Sequence, residues 1–435
     1  MPQQGILAGG KMEQQLIVST NALSETLFKF VEVRRGKTRE AHKKFIQDMV
    51  FGILGGRSPL LSNIVRFLDE DIEPIYTENR LSQMLQNDGF PWENLKDRQT
   101  EIAGRNIRDT DVIAFDPGDI IKPYAEKMEN LYRVRDGSEN VCGNGYEEFA
   151  AEGVQLVNGR KFHVPLYSTI SNAAFKDYIG QNFQICQAIR AIHEHTQNRG
   201  IWTFDRAHDR SQIYSRALFL LDMRWIVRAM ENRSVEPEDS KYRLPNKYHP
   251  GVFDIVQQMK LTDLPLRLTL PKVTGEIHLG WTRIKILGDP RENRWLTLVV
   301  AHDRRNKEPV VLITTESVSS AEEAILVFGH YLCRWGKEEG YRFTGSYLKL
   351  ETLRTMSAKS ITRLAWLVHL TYFFVTAFYK GNPEQVEKQY TERLRAFVPI
   401  EEIGFKYYRV ADLMRLILCE QKRKPYRALM GTQVA

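Results

Sequence analysis

Apolar residues at Phe45, Ile46, Met49, Val50 and Ile53 recur at helical spacing in AHKKFIQDMVFGILGG, which predicts a helix stopped by Gly55-Gly56. SPLLSNIVRFL predicts a second helix, with Ser58 as its cap ahead of Pro59, and TENRLSQMLQ a third, with Thr77 as its cap. Residues 12 to about 105 therefore read as helical. Near residue 110 the pattern changes. DTDVIAFD, two or three segments of NGYEEFAAEGVQLVNGRKFHVPLYSTI, GIWTFD and MRWIVRAM have strand texture, with helices expected at Phe175–Thr196 and in RSQIYSRALFLLD. The alternation predicts a mixed α/β core. LPLRLTLP, GEIHLGWTRIKIL, RWLTLVVAHD and VVLITTES form a β-rich block, and from Ala321 onward the chain reads as helical, interrupted at Gly381-Asn382-Pro383 and near Pro399.

Composition narrows the class. In 435 residues, 43% are hydrophobic and 26% charged, enough apolar material for a large core and against disorder as the dominant state. The net charge of +7 permits a polyanionic partner. It is concentrated, since residues 241–308 hold 13 Lys/Arg against 7 Asp/Glu. Cys142, Cys186, Cys333 and Cys419 lie far apart without a C-x-x-C, which argues against a disulfide framework or zinc ribbon. The N-terminus lacks the apolar core of a signal peptide. Leu364–Tyr379 is apolar but short for a bilayer and contains His369, so a buried helix is expected rather than a membrane span.

Three places carry candidate chemistry. Asp116 ends the apolar run VIAFD, and Pro117-Gly118 predicts a turn directly after it; alone, it reads equally as a turn-forming Asp-Pro-Gly. Asp205 repeats the pattern after IWTF; alone, it reads as a helix cap or a partner of Arg206. In YLCRWGKEEGYR, Tyr331, Arg334 and Glu338 share one helix face. That face is either an exposed charged surface or one that looks into a site holding phosphate and metal. Asp119, Asp209, Asp222 and Glu339 are rival acids, and Glu339 points about 100° away from the Tyr331–Arg334 face.

Taken together and in this order, FDPGDIIKPYAEKMENLYRVRDGSENVCGNGY, FDRAHDRSQIY and PVVLITTESVSSAEEAILVFGHYLCRWGKEEGYR resemble the DDE transposases of bacterial insertion sequences. The similar branch has an RNase H-like catalytic core interrupted by a β-rich insertion. It carries Tyr, two residues, Arg, three residues, Glu, six residues, Lys. Tyr331, Arg334 and Glu338 match; the Lys position falls on Gly345, and Lys349 could replace it only on a regular helix. Ala207-His208 also departs from the Gly and aromatic that usually follow Asp-Arg.

The resemblance implies a layout and a chemistry. Residues 1–105 would be a helical DNA-binding region, 106–240 the first part of the core, 241–310 the insertion, 311–380 the second part with the Glu helix, and 381–435 a helical region for dimerisation. Asp116, Asp205 and Glu338 would hold two Mg²⁺ ions, or Mn²⁺ in their place, for phosphodiester hydrolysis and strand transfer. Tyr331 and Arg334 would contact phosphates near the cut, and Trp295 beside Arg294 a flipped base, unless Trp295 is simply packed in the sheet. Arg34, Arg35, Lys43 and Lys44, in a basic stretch of the N-terminal region, would touch DNA or merely face solvent. The implied partners are transposon ends, target DNA and a second copy of the chain, in the bacterial cytoplasm at the nucleoid. A metal-dependent nuclease of the same fold and an inactive DNA-binding descendant are the alternatives.

Overall fold

The computed structural model describes residues 23–27, 40–135, 137, 141–157, 160–244, 249–263, 265–270, 273–287, 294–303, 305, 308–394, 398–400 and 403–422. Arg34 and Arg35 lie outside them.

After a helical stretch at 23–27, the described residues continue with α1 (Glu40–Gly56), α2 (Leu61–Leu68), α3 (Pro74–Gln86) and α4 (Trp92–Arg105). The apolar stripe of α1 is buried as its spacing predicts. Its glycines let α2 cross closely, for a Cβ on Gly52 would lie 2.4 Å from Ile64 Cγ2. Two predicted caps are corrected. Ser58 Oγ accepts from Leu60 N–H at 3.2 Å, two residues ahead of the cap position, because the helix starts only at Leu61. Thr77 lies inside α3, which begins at Pro74, and its hydroxyl donates to Glu70 at 2.7 Å. Proline's preset φ favours the first helical position and moves the start upstream.

The core is one mixed eleven-stranded sheet. Its first part comprises β1 (Val112–Ile121), β2 (Tyr132–Arg135), β3 (Cys142–Val157), β4 (Arg160–Ser171), then α5 (Gln181–Thr196), β5 (Ile201–Phe204) and β6 (Trp225–Arg228). β3 pairs antiparallel with β1 and β4, while β5 lies parallel to both β1 and β6. This is the mixed α+β class expected, with β7 (Val235–Pro237), β8 (Leu266–Leu270), β9 (Val273–Ile286), β10 (Leu296–Asp303) and β11 (Val310–Thr314) following β6. These later strands do not form a sheet of their own. β11 pairs antiparallel with β6, and β10 and β9 follow outward.

Pro117-Gly118 makes no turn. β1 runs straight through it, with Asp116 opposite Ala150 and Gly118 opposite Glu148. β5 pairs with β1 only as far as Ala114, so beyond that point β1 is an edge on one side and tolerates a residue without an N–H.

After the short α6 (Val252–Gln258), α7 (Ala321–Leu332) lies across the sheet, packing Ala324, Val327, Phe328 and Tyr331 on Ile201, Ile226, Leu279, Val299 and Leu312. α8 (Trp335–Arg342) continues onto β1 and β3. Two glycines bring its backbone down: a Cβ on Gly340 would lie 2.3 Å from Glu152 Oε2, and one on Gly336 2.9 Å from Val154 Cγ2. After α8 a π-type turn (Phe343–Tyr347) breaks the helix, and Lys349 has φ +57°. The regular helix that would aim Lys349 at the Tyr331–Glu338 face is therefore absent, and Lys349 is an exposed left-handed residue.

α9 (Ala358–Gly381) is long and apolar enough to cross a membrane by length and composition, yet it is buried on nearly every side. It packs against β4, α1, α3 and α11 (Tyr407–Lys422), with Trp366 Nε1–H donating to Gln99 at 2.9 Å. α10 (Pro383–Leu394) follows it, starting at a proline as the sequence suggests.

Candidate metal and phosphate site

Two strands set the site. β1 and β5 run parallel with Ala114 opposite Thr203. Two residues further on come Asp116, still within β1, and Asp205, the extended residue just past the end of β5. Side chains alternate with a period of two, so both acids leave the sheet on the same face. The parallel texts VIAFD and IWTFD encode this.

A three-residue turn (Arg206–His208) follows Asp205, whose Oδ1 accepts from Ala207 N–H at 3.0 Å. The cap role is thus real and coexists with the site. The same turn folds His208 back, 1% exposed, placing Nδ1 2.5 Å from Asp205 Oδ1. One donor atom each from Asp116, Asp205 and His208 lie within 4.8 Å of one another.

The helix side completes the cluster. Arg334 lies between two acids, donating through one nitrogen to Asp116 Oδ2 at 3.2 Å and through the other to Glu338 Oε1 at 3.0 Å. Asp116 and Glu338, far apart in sequence, thus meet on one guanidinium, and Asp205 stands beside Asp116. Glu338 is held by Arg334 rather than by the Asp116–Asp205–His208 group. Beneath them Lys337 is 3% exposed, its ammonium 3.8 Å from the Tyr341 ring centre, and the Tyr341 hydroxyl donates to the Asp116 carbonyl. Glu148 and Glu152, also buried, project from β3 toward α8 and α9.

Burial, then the neighbouring Asp205 charge, push the Asp116 carboxyl up to about 6; His208, Arg334 and Lys337 oppose that rise. For Asp205 burial acts upward as well, but the His208 hydrogen bond and charge, Arg334 and the Ala207 N–H outweigh it and hold the acid below its ordinary value. Two carboxylates with such divergent proton affinities, beside an imidazole, form a donor set for one divalent cation. A second ion needs Glu338 released from Arg334.

This geometry predicts a pH effect. A raised carboxyl value favours the protonated acid in the folded chain. Its contribution is fully present below the ordinary 3.8 and is lost as pH rises through about 6. The ion-free protein should lose up to about 3 kcal/mol of stability from this group between about pH 4 and pH 7. Saturating Mg²⁺ or Mn²⁺ should restore more stability at pH 7 than at pH 5. Urea unfolding of the wild type against Asp116→Asn measures this, since the share of the slope that Asp116 contributes should be missing in the variant.

Tyr331 is 5% exposed and packs on the sheet, with the Arg334 guanidinium 5.9 Å from its ring centre, so it adjoins the site from within the core. Several other expected contacts lie elsewhere. Trp295 falls at the level of Ile201, at the opposite end of β5 from Asp205, as the paired registers from β5 through β6 and β11 to β10 require. That is about 13 Å along the strands and three spacings of roughly 4.8 Å across them. Trp295 is therefore not beside the acids. Lys285 Nζ sits 4.4 Å and Arg283 Cζ 5.4 Å from its ring centre, and Arg294 pairs with Asp222 at 2.6 Å. Lys43 pairs with Glu40 at 3.2 Å, and Lys44 with Asp48 and Glu70. Among the rival acids, Asp119 accepts from Gly137 N–H, Glu339 faces Lys161 at 3.8 Å, and buried Asp209 accepts from Tyr214, Met230 and Arg233.

Sequence reasoning missed His208, Lys337 and Tyr341 as members of the site. His208 had a signal, standing three residues after Asp205 where a short turn returns the side chain. Lys337 lies inside the Arg334–Glu338 motif, but nothing in the spacing says that its neighbours on β3 are acidic.

No protein-family model matches the sequence, and no curated protein sequence matches it. Among solved structures, the piggyBac transposase synaptic complex with hairpin DNA is similar with a TM-score of 0.41 at 10% identity, over 93% of this chain and 80% of that one. The likeness is loose and carries no weight for the chemistry.

Proposed function

We propose that the chain is a DNA transposase of the DDE kind, which binds the terminal inverted repeats of a mobile element and catalyses cation-dependent phosphodiester hydrolysis and strand transfer. The supporting observation is the placement of Asp116 beside Asp205, with Asp116 linked through Arg334 to Glu338. Bound Mg²⁺, or Mn²⁺ in its place, would supply charge neutralisation at the phosphate and a nucleophile at neutral pH; the resembled family uses two ions.

The chain's own residues do the rest. Asp116 and Asp205 would hold the cation where β5 ends beside the middle of β1. Arg334 exchanges its carboxylate partners for a phosphate, to which its planar fork is suited. Glu338, released in that exchange, turns toward the two Asp residues. Tyr341 fixes the Asp116 backbone throughout. Trp295 with Arg283, Lys285 and Arg294 contacts the duplex away from the cut. Lys349, Lys43, Lys44, Arg34 and Arg35 are further phosphate contacts. Two copies synapse two transposon ends through the helices after residue 381, in the cytoplasm at the nucleoid.

The test uses labelled DNA carrying the inverted repeats that flank the coding region, with Mg²⁺. Nicks at the repeat ends followed by joined products are expected. Nicking with neither repeat preference nor joining means a nuclease instead. Binding without any cleavage, even in Mn²⁺, means an inactive descendant, the outcome that Gly345 in place of the signature Lys would favour.

A further inference from the structure

We infer that His208 supplies a nitrogen ligand to the cation held between Asp116 and Asp205, which makes this a mixed nitrogen–oxygen position suited to Mn²⁺ over Mg²⁺. The inference rests on the proposed function and adds a residue and an ion preference to it.

Three observations lead here. A donor atom of His208 lies within 4.8 Å of oxygens of both acids, the distance over which one ion can gather three ligands. The ring is also locked. It is 1% exposed and packs edge-on to Phe115 at 5.8 Å and tilted against Phe204 at 5.3 Å, the residues immediately before Asp116 and Asp205. The strands that aim the acids therefore also wedge the imidazole, and a ligand so fixed loses little freedom on binding. Finally, it is Nδ1, not the buried Nε2, that is turned toward Asp205 and so toward the position between the two acids.

Without a cation, Nδ1–H donates to Asp205. With one, the ring enters as the neutral tautomer carrying its proton on Nε2. The Nδ1 lone pair then faces the ion, and Asp205 exchanges a hydrogen bond for a coordination bond. Proton count is unchanged, because one nitrogen carries the hydrogen in either state. Imidazole is a favourable ligand for transition ions, whereas Mg²⁺ keeps to oxygen ligands.

The experiment titrates the full-length chain with Mn²⁺ and records its electron spin echo modulation, with natural-abundance protein and with protein carrying ¹⁵N-histidine. Nitrogen-14 modulation in the first sample, replaced by the nitrogen-15 pattern in the second, is expected; this arm needs no mutation and no folding control. His208→Asn, checked for native unfolding behaviour, should bind Mn²⁺ about 10–100-fold more weakly. Its Mg²⁺ affinity should change far less. Mn²⁺ that binds, is lost in Asp116→Asn, and shows no histidine coupling overturns the inference and leaves the proposed function standing. No saturable binding of either ion overturns both.

Discussion

Asp116→Asn should abolish cutting while leaving the chain folded and bound to DNA. The substitution keeps the shape of the side chain and removes the charge that the cation needs. Loss of a ligand that neutralises a phosphoryl transition state costs several kcal/mol, so nicking should fall by at least about 10³-fold. Affinity for repeat DNA should stay within about twofold, because binding to a duplex draws on many phosphate contacts. Stability should move in the opposite direction to activity. Asp116 is an acid that burial and Asp205 together push up to about 6, so at pH 7 its ionised form is a liability in the ion-free chain. Removing it should raise the ion-free stability by up to about 3 kcal/mol at that pH. Gel assays of nicking and urea unfolding of the same preparation check the pair. A variant that cuts at near wild-type rate would remove Asp116 from the chemistry and the transposase reading with it.

Lys337→Met should have the largest effect on folding. The ammonium is 3% exposed in a layer that also holds Glu148 at 2% and Glu152 at 1%, under Asp116. Burial pulls the lysine below its ordinary value, and the charges of Glu148, Glu152 and Asp116 hold it up. Methionine fills the same volume but leaves those carboxylates with only their other partners, His369 near Glu148 and His163 and Tyr372 at Glu152. Removing one member of a buried charged group costs about 3–5 kcal/mol. The loss should be greatest near neutral pH and shrink in acid as Glu148, which burial pushes up but His369 and Lys337 hold below its ordinary value, takes up a proton. Lys337 is also one of the charges that restrain the rise of Asp116, so that acid's titration should move further above about 6 in the variant. Denaturant unfolding from pH 4 to 8 reads the first effect, and carboxyl NMR of Asp116 the second. Stability within 1 kcal/mol of wild type throughout would mean that the lysine does not compensate the buried glutamates.

What could be read from the residues follows from locality. The periods of α1, β5, β6 and β10 are properties of neighbours along the chain, and so is the repeated apolar-run-then-acid of VIAFD and IWTFD. The Arg334–Glu338 spacing is one helical turn, and their contact followed from it. Where a local rule failed, a non-local partner overrode it. Asp116-Pro117-Gly118 reads as a turn, yet β3 pairs with it along its whole length and holds it straight. Lys349 lies at helical spacing, but the chain leaves the helix after Arg342. Trp295 stands among basic residues as expected, and only the strand register put it at the far end of the sheet.

By itself, then, the sequence determined the element types, the mixed α+β class and the three acids worth watching, because each depends on short-range periodicity and side-chain chemistry. Tertiary structure alone decided that Ala114 pairs with Thr203 and so brings Asp116 beside Asp205. It also decided that Gly336 and Gly340 let α8 settle onto β3, and that His208 and Lys337 belong to the cluster. Those are distances between segments separated by tens to hundreds of residues, set by how the sheet pairs and by which backbones can approach, and no pattern along a single stretch of chain contains them.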